Sequence, residues 1–438
     1  MSSDIQAAIE KLEDHGTRLS KLLRYASRAF VIEFAGTPKS GKSTSVEAVR
    51  HFFSRLGFRV HVLSERASVC PIPMKGHLFF NTWCATSMLA ELLANIEAET
   101  DIIIVDRGLF DALVWFSLQK RRGELTLAEA EAIESFILLD RWRNLIDLVV
   151  AMNVTAEEAL SRENSQRITR KSGSIMNLDV LNAISGTVSE AIKEYDFKFN
   201  GILNHSTTGQ GVRESNILLV ERILKRLEEF LNPQILVVPK RDIETLALEN
   251  GGAFGPKAVK EAIRCISGNG YFLNRDEAES RKDLVQIIPC GLLTYNGEVF
   301  LFQRKENDRK YRLYGKATIW QGCHVPKLKE GSLEEIIKNS LLDRVSRSLF
   351  LSRVFPIKSL GYCWNKNDSS SRRHLGVVYR IDIDNIHTAI DLKKKEFRKQ
   401  RGHGLFGRFE KWQNLVKNGK KLDLESWSRT ILNGVEKL

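Results

Sequence analysis

The stretch VIEFAGTPKSGKST, residues 31–44, constrains this chain more than any other. An apolar run enters a loop in which Gly36, Gly41, Lys42 and Ser43 satisfy the spacing G-x-x-x-x-G-K-[ST]. The glycines allow backbone geometry that other residues resist, so successive N–H groups can point inward at phosphate oxygens. Lys42 offers a point charge to the β- and γ-phosphates, and Ser43 a hydroxyl for Mg2+. The amphipathic stretch that follows aims the positive end of a helix at the same anion. The spacing therefore predicts a strand, then a phosphate-binding loop, then a helix. The loop comprises Gly36, Thr37, Pro38, Lys39, Ser40, Gly41, Lys42, Ser43 and Thr44, with ATP or GTP as its ligand.

The rest of the first half supports that frame. FVIEFAG (30–36), FRVHVLS (58–64), DIIIVD (101–106) and LIDLVVAMNV (145–154) read as strands, mostly separated by helical patterns. A fifth strand is expected near 201–204, before a closing helix over 215–231 that Asn232-Pro233 ends. Such alternation predicts an α/β domain with a mainly parallel sheet covered on both faces. The second half differs. CGLLTYNGEVFLFQRK (290–305) reads as a β-hairpin turning at Asn296-Gly297, followed by a helix over 332–350 and a strand over 374–384. At 438 residues the chain exceeds one ordinary core. The expected division is an N-terminal helical extension (1–27), a phosphate-loop domain (28–232), a helical connector (233–283) and an α+β domain (284–438). The basic run KKKEFRKQR (393–401) reads as a solvated loop or helix.

Several polar residues stand where chemistry is expected. Asp106 closes a very apolar strand, where an acid can hold Mg2+ through water. Arg107 follows it and can reach a phosphate or clamp an acceptor. Glu65 ends the second strand, near the edge where open α/β sheets bind ligands, and could accept the proton of an attacking hydroxyl. Arg162, Arg167, Arg170 and Lys171 share a polar stretch that reads as a cationic lid over a triphosphate. The small-residue loop HSTTGQG (205–211) is a candidate wall of the base pocket.

Through GTPKSGKST, SERA after strand two, DRG after strand three and NVTAEEALSREN before the lid, residues 28–232 resemble the thymidylate kinase and deoxynucleoside kinase group. That resemblance implies that Glu65 and Arg107 face the acceptor, and that Arg162, Arg167 and Arg170 face the donor phosphates. It makes Asn81, Trp83, Phe110, Asp111 and Trp115 candidates for the acceptor pocket, the aromatics among them doubling as core. The chain departs from the pattern in having no proline after Glu65, Gly108 in place of Tyr or Ser, and the bulky pair Pro38-Lys39 in the loop. The acceptor stays open among a nucleoside, a nucleoside monophosphate and a nucleic-acid end.

IIPCGLLTYNGEVFLFQRK, WQGCHVP (320–326), the 332–350 helix and HLGVVYRIDID are together similar to a Nudix domain. Nudix hydrolases hold Mg2+ with several glutamates on one helix. Here Asn339-Ser340-Leu341-Leu342-Asp343-Arg344 occupies that place, and only Asp343, with Glu330 at a one-residue shift, keeps a carboxylate. The expectation is a Nudix-like domain without hydrolase activity. Its Arg304, Arg312, Arg344 or Arg372 would bind a nucleotide or nucleic acid.

Charge supports an acidic partner for this half. Of the 66 basic and 54 acidic side chains, 28 and 30 precede residue 236 and 38 and 24 follow it, so the second half carries +14. The six cysteines are scattered with no CxxC pair, which argues against a zinc site and a disulfide framework and fits a reducing cytoplasm. No apolar run is long enough to span a bilayer, and the N-terminal stretch lacks the apolar segment of a secretory signal. The leading expectation is Mg2+-dependent phosphoryl transfer from ATP or GTP to a nucleoside or nucleoside monophosphate by a cytoplasmic protein, compatible with a homodimer. The alternative is a regulatory nucleotide-binding protein whose basic half senses a nucleotide or nucleic acid. An active Nudix hydrolase ranks last.

Overall fold

The computed structural model describes residues 3–23, 26, 28–96, 99–166, 168, 175–246, 251–305, 316–327, 331–349, 355–366, 368, 371–383, 397–400, 403–418 and 422–436. The chain divides into two compact units, Met1–Leu231 and Asn232–Leu438.

In the first unit, strands β1 (Phe30–Gly36), β2 (Val60–Leu63), β3 (Ile102–Asp106), β4 (Leu148–Asn153) and β5 (Ile202–Ser206) form one sheet in the order β2-β3-β1-β4-β5. Every pairing is parallel. The reason is visible residue by residue. Along β1, β3 and β4, Phe30, Ile32, Phe34, Ile102, Ile104, Leu148, Val150 and Met152 enter one apolar cluster. Val31, Ala35, Ile103, Val105, Val149 and Ala151 enter the other. Because side chains alternate across a strand, both faces are apolar and both need helices. Helices α1 (Ser3–Ser20), α2 (Lys42–Arg55) and, at the end of the unit, Val212–Leu231 cover the first face. Helices α3 (Leu78–Asn95), α4 (Leu109–Arg121) and Leu178–Tyr195 cover the second. Burial of each such Val, Ile or Phe contributes about 1.5–3 kcal/mol before entropy is counted. All five expected strands and the closing helix are present, and the expected α/β class holds.

The second unit is built on a mixed sheet. In chain order its strands include β6 (Gln234–Pro239), β7 (Gly252–Phe254), β8 (Tyr271–Asn274), β9 (Leu284–Tyr295), β10 (Glu298–Lys305), β11 (Ala317–Thr318), β12 (Gln321–Gly322), β13 (Ile357–Cys363) and β14 (His374–Asp382). Strand β9 pairs parallel with β14 and antiparallel with β10. Between β9 and β10, Asn296 and Gly297 take φ of 48° and 76°, the positive pair that a type I′ turn needs. Helix Leu333–Leu349 packs its Ile337, Leu341 and Val345 into the core of this unit.

The expectation of a helical connector over 233–283 is corrected. Among its described residues that span holds three strands, Gln234–Pro239, Gly252–Phe254 and Tyr271–Asn274, besides helices Lys240–Ile243, Pro256–Asn269 and Arg275–Ser280. QILVVP is an apolar run whose middle four residues are buried, and it pairs with β9, so it belongs to the second unit's sheet. The basic run is corrected in part: Phe397–Gln400 forms an edge strand against His403–Lys411, while residues 393–396 and 401 lie outside the described residues.

One glycine is dictated by this fold. Gly36 has φ of 133°, and a Cβ there would stand 2.0 Å from the Met152 carbonyl oxygen on the neighbouring strand. Gly36→Ala is expected to cost the first unit roughly 3 kcal/mol or more in denaturant unfolding. Gly41→Ala has φ of 83° to contend with but no clash, and should cost about 1–2 kcal/mol. Equal stability of the two variants would refute the β1–β4 register.

Candidate functional site

The phosphate-binding loop leaves β1 at Gly36 and closes at Gly41, which begins α2 with φ of 83° and no side-chain cap. The amides of the first helical turn are therefore left for a ligand. Inside the loop, the Thr37 amide donates to the Met152 carbonyl (3.0 Å). Lys39 adopts a left-handed backbone (φ 60°), a strained conformation that clusters at ligand sites. The hydroxyls of Thr37 and Ser40 are buried without a hydrogen-bond partner among the described residues. Ser43 and Thr44 are exposed at the start of the helix.

Lys42 is buried, with 7% of its surface exposed. Its Nζ lies 3.6 Å from Asp106 Oδ1, at the end of the adjacent strand. Burial, and next the Arg107 charge, pull its pKa below the ordinary lysine value, while Asp106, Asp111 and Glu65 pull it back up. An ammonium short of compensating negative charge is what an incoming triphosphate would relieve.

Arg107 is the hub of the acceptor side. Its backbone is left-handed (φ 63°). Nε lies 2.8 Å from Glu65 Oε1, and Nη1 donates to both Asp111 oxygens at 3.0 Å. The surrounding carboxylates, Asp111 first, outweigh burial and hold the guanidinium firmly charged. Asp111 also accepts from the Gly36 amide (3.2 Å) and the Trp115 indole (3.0 Å). Asp111, expected at the acceptor pocket, is therefore already bonded to three partners within the protein. It is 4% exposed and both of its oxygens are engaged, so it positions Arg107 and ties the loop to α4.

Beneath this network lies Glu33, which the sequence reading missed. It is fully buried on β1, and its carboxylate accepts from the amides of Gly108, Phe110 and Asp111 at 3.0, 3.1 and 2.9 Å. It thereby caps the first turn of α4. It also explains Gly108, where a Cβ would sit 2.8 Å from the Glu33 carboxyl. The available signal was an acid inside the otherwise apolar run FVIEFAG. Burial outweighs the three amide bonds and pushes the Glu33 pKa up from 4.5 to about 7. Below pH 4.5 the group is neutral whether folded or unfolded. Between 4.5 and 7 only the unfolded chain readily ionises, so its contribution to stability falls as pH rises. Relative to Glu33→Gln, the wild type should lose on the order of 3 kcal/mol across that window, read by urea unfolding at stepped pH. A flat difference would mean that Glu33 is not desolvated.

Of the lid residues, Arg162 on helix Ala156–Gln166 is described. It donates to the Lys39 carbonyl (2.9 Å), to Thr207 Oγ1 (3.0 Å) and carbonyl (2.8 Å), and to Glu158 (2.6 Å). It buttresses the loop backbone. Lys39 pairs with Glu163 on the same helix at 2.8 Å. Arg167, Arg170 and Lys171 lie outside the described residues. Thr207, another residue that sequence reading passed over individually, links the 205–211 loop to the Ser40 carbonyl (3.1 Å). Asn81 and Trp83 lie half-buried on α3, where the Trp83 ring sits 5.7 Å from the Arg66 guanidinium. Phe110 is fully buried in the core, against Phe199.

In the second unit, Ser340 and Leu341 are buried and Asp343 is exposed on helix Leu333–Leu349, with Arg344 half-buried beside it. Arg372 is exposed, Arg312 and Glu330 lie outside the described residues, and nothing is described of the Arg304 side chain. No helix among the described residues is long and apolar enough to cross a membrane.

A parallel sheet whose first strand delivers Gly36–Ser43 beside a strand-end aspartate defines the first unit as a P-loop nucleoside triphosphatase fold that binds nucleotide. Residues 8–69 match the family model of the methylmalonyl Co-A mutase-associated GTPase MeaB, a span that includes the loop. Protein YmaB of Bacillus subtilis is 22% identical over 213 residues, covering 47% of this chain and 98% of its own. Among solved structures, deoxyadenosine kinase from M. mycoides with bound dCTP is similar at 15% identity, over 45% of this chain and all of its own, with a TM-score of 0.36. Tm1382, a predicted Nudix hydrolase, is similar at 18% identity, over 46% of this chain and 98% of its own, with a TM-score of 0.34.

Proposed function

We propose that the first unit transfers a phosphoryl group from ATP or GTP to a hydroxyl or phosphate of a nucleoside or nucleoside monophosphate. The observation that carries this reading is the Glu65–Arg107 pair at 2.8 Å, on the same side of the sheet end as Lys42 and Asp106. A carboxylate held beside the triphosphate pocket stands where a general base for an attacking hydroxyl would be needed. In this mechanism the loop amides and Lys42 take the β- and γ-phosphates, and Arg107 orients the acceptor. Glu65 takes the proton of an attacking hydroxyl. Arg162 keeps the loop backbone in place, and Arg167 and Arg170 stand as proposed lid cations.

Ser43 and Asp106 would hold Mg2+. The donor set fits, being hard oxygens, and Asp106 Oδ1 is buried without a hydrogen bond among the described residues. When bound, the ion would supply charge neutralisation on the phosphate oxygens. The second unit is proposed as a Nudix-like recognition module that does not hydrolyse, binding a nucleotide or nucleic acid.

Incubation with Mg-ATP or Mg-GTP and a panel of nucleosides and monophosphates should give a phosphorylated product. Folded protein that phosphorylates none of them would overturn the proposal. A regulatory GTPase is the second reading, favoured by the MeaB match over residues 8–69. It predicts nucleotide hydrolysis or exchange with no acceptor.

A further inference from the structure

The second unit gathers three metal-binding side chains that are far apart in sequence. Glu279 lies on the short helix Arg275–Ser280, His324 follows strand Gln321–Gly322, and His374 opens β14. One ligand atom from each lies within 4.8 Å of the other two, and all three residues are half-buried. Their separation in sequence, 45 and 50 positions, explains why no spacing motif exposes them.

A second observation points the same way. Gln286, fully buried on β9, faces His374 in the parallel register, and its Oε1 accepts from His324 Nε2 at 2.7 Å. This bond engages one ring nitrogen and leaves Nδ1 as the lone-pair donor, the way outer-shell partners orient metal-binding histidines. The Gln286 amide nitrogen has no hydrogen-bond partner among the described residues, so a fully buried polar side chain is only half satisfied beside the cluster. Packing alone does not account for a buried amide left in that state.

We propose that Glu279, His324 and His374 form a divalent metal site of the zinc type, with Gln286 as a positioning residue. Two imidazoles and one carboxylate are a set that Zn2+ takes in tetrahedral geometry with a fourth position open. Arg275, 4.0 Å from Glu279, and Arg373, which donates to the Glu279 carbonyl, bring positive charge nearby. They favour an anion or hydroxide in that fourth position. The site would clamp the short helix to the sheet. It shares no residue with the phosphate loop or with the Asp343 helix face.

The test is a titration of the full chain, stripped with chelator, with ZnCl2 by calorimetry and with CoCl2 by absorption. One equivalent of Zn2+ at micromolar affinity or tighter, and a tetrahedral Co2+ band at about 500–650 nm, are expected. The double variant His324→Ala/His374→Ala should lose both signals, and Gln286→Ala should weaken uptake 10- to 100-fold. Glu279→Gln keeps shape on a half-exposed helix, and so tests the site even if the histidine variants fold poorly; at least tenfold weaker uptake is expected. Absence of stoichiometric uptake, or uptake unchanged in Glu279→Gln and the double variant, would overturn the proposal.

Discussion

Lys42→Ala should weaken uptake of Mg-ATP or Mg-GTP by about 100-fold, measured by calorimetry on folded protein. A charge-assisted contact to phosphate contributes roughly 2–3 kcal/mol, and each 1.4 kcal/mol is tenfold in affinity. Here the effect should lie at the upper end. The ammonium is 7% exposed, and Asp106, its ion-pair partner, sits 3.6 Å away. Removing the ammonium therefore leaves Arg107 and the Mg2+ as the cations that offset the strand-end carboxylate. Lys42→Arg should not rescue uptake, because a planar fork does not fit a site shaped around a compact buried ammonium. Unchanged affinity in Lys42→Ala would mean that the loop does not hold the triphosphate, and the whole functional reading would go with it.

Glu65→Gln should lower phosphoryl transfer by about 10²- to 10⁴-fold while leaving nucleotide affinity within a few-fold. The separation is expected because Gln keeps the size of the side chain. Arg107 stays held by both oxygens of Asp111 and by its backbone bond to the Phe34 carbonyl (2.9 Å). The pocket should therefore survive while the proton acceptor is lost. If the variant retains full transfer to a hydroxyl acceptor, Glu65 is a structural partner of Arg107 and the base lies elsewhere. If neither form transfers but both hydrolyse nucleotide alike, the regulatory reading stands. The zinc experiment is independent of both results, since its residues belong to the other unit.

Part of this organisation is legible in local order. Five strands, the closing helix and the hairpin at Asn296-Gly297 follow from short patterns, because each depends on neighbours within a dozen residues. The span 233–283 misled for the opposite reason. Its strand QILVVP is short, and its pairing partner β9 begins 45 positions after the end of that strand. For Asp111, sequence shows an acid near an arginine but not its bonds to Gly36, Arg107 and Trp115.

By itself the sequence determined the nucleotide cradle, since glycine, lysine and serine at fixed spacing carry their own backbone geometry. It also determined the alternation that makes the first sheet parallel and doubly covered. Only the tertiary structure decided what each acid does. Glu33 became a buried helix cap, Asp111 a brace and Glu65 the pair of Arg107. Only there, too, did Glu279, His324 and His374 come within 4.8 Å of one another. The physical reason is the same throughout. A carboxylate's or imidazole's role is set by how much water it loses and which charges it meets, and in a folded sheet those partners come from distant strands.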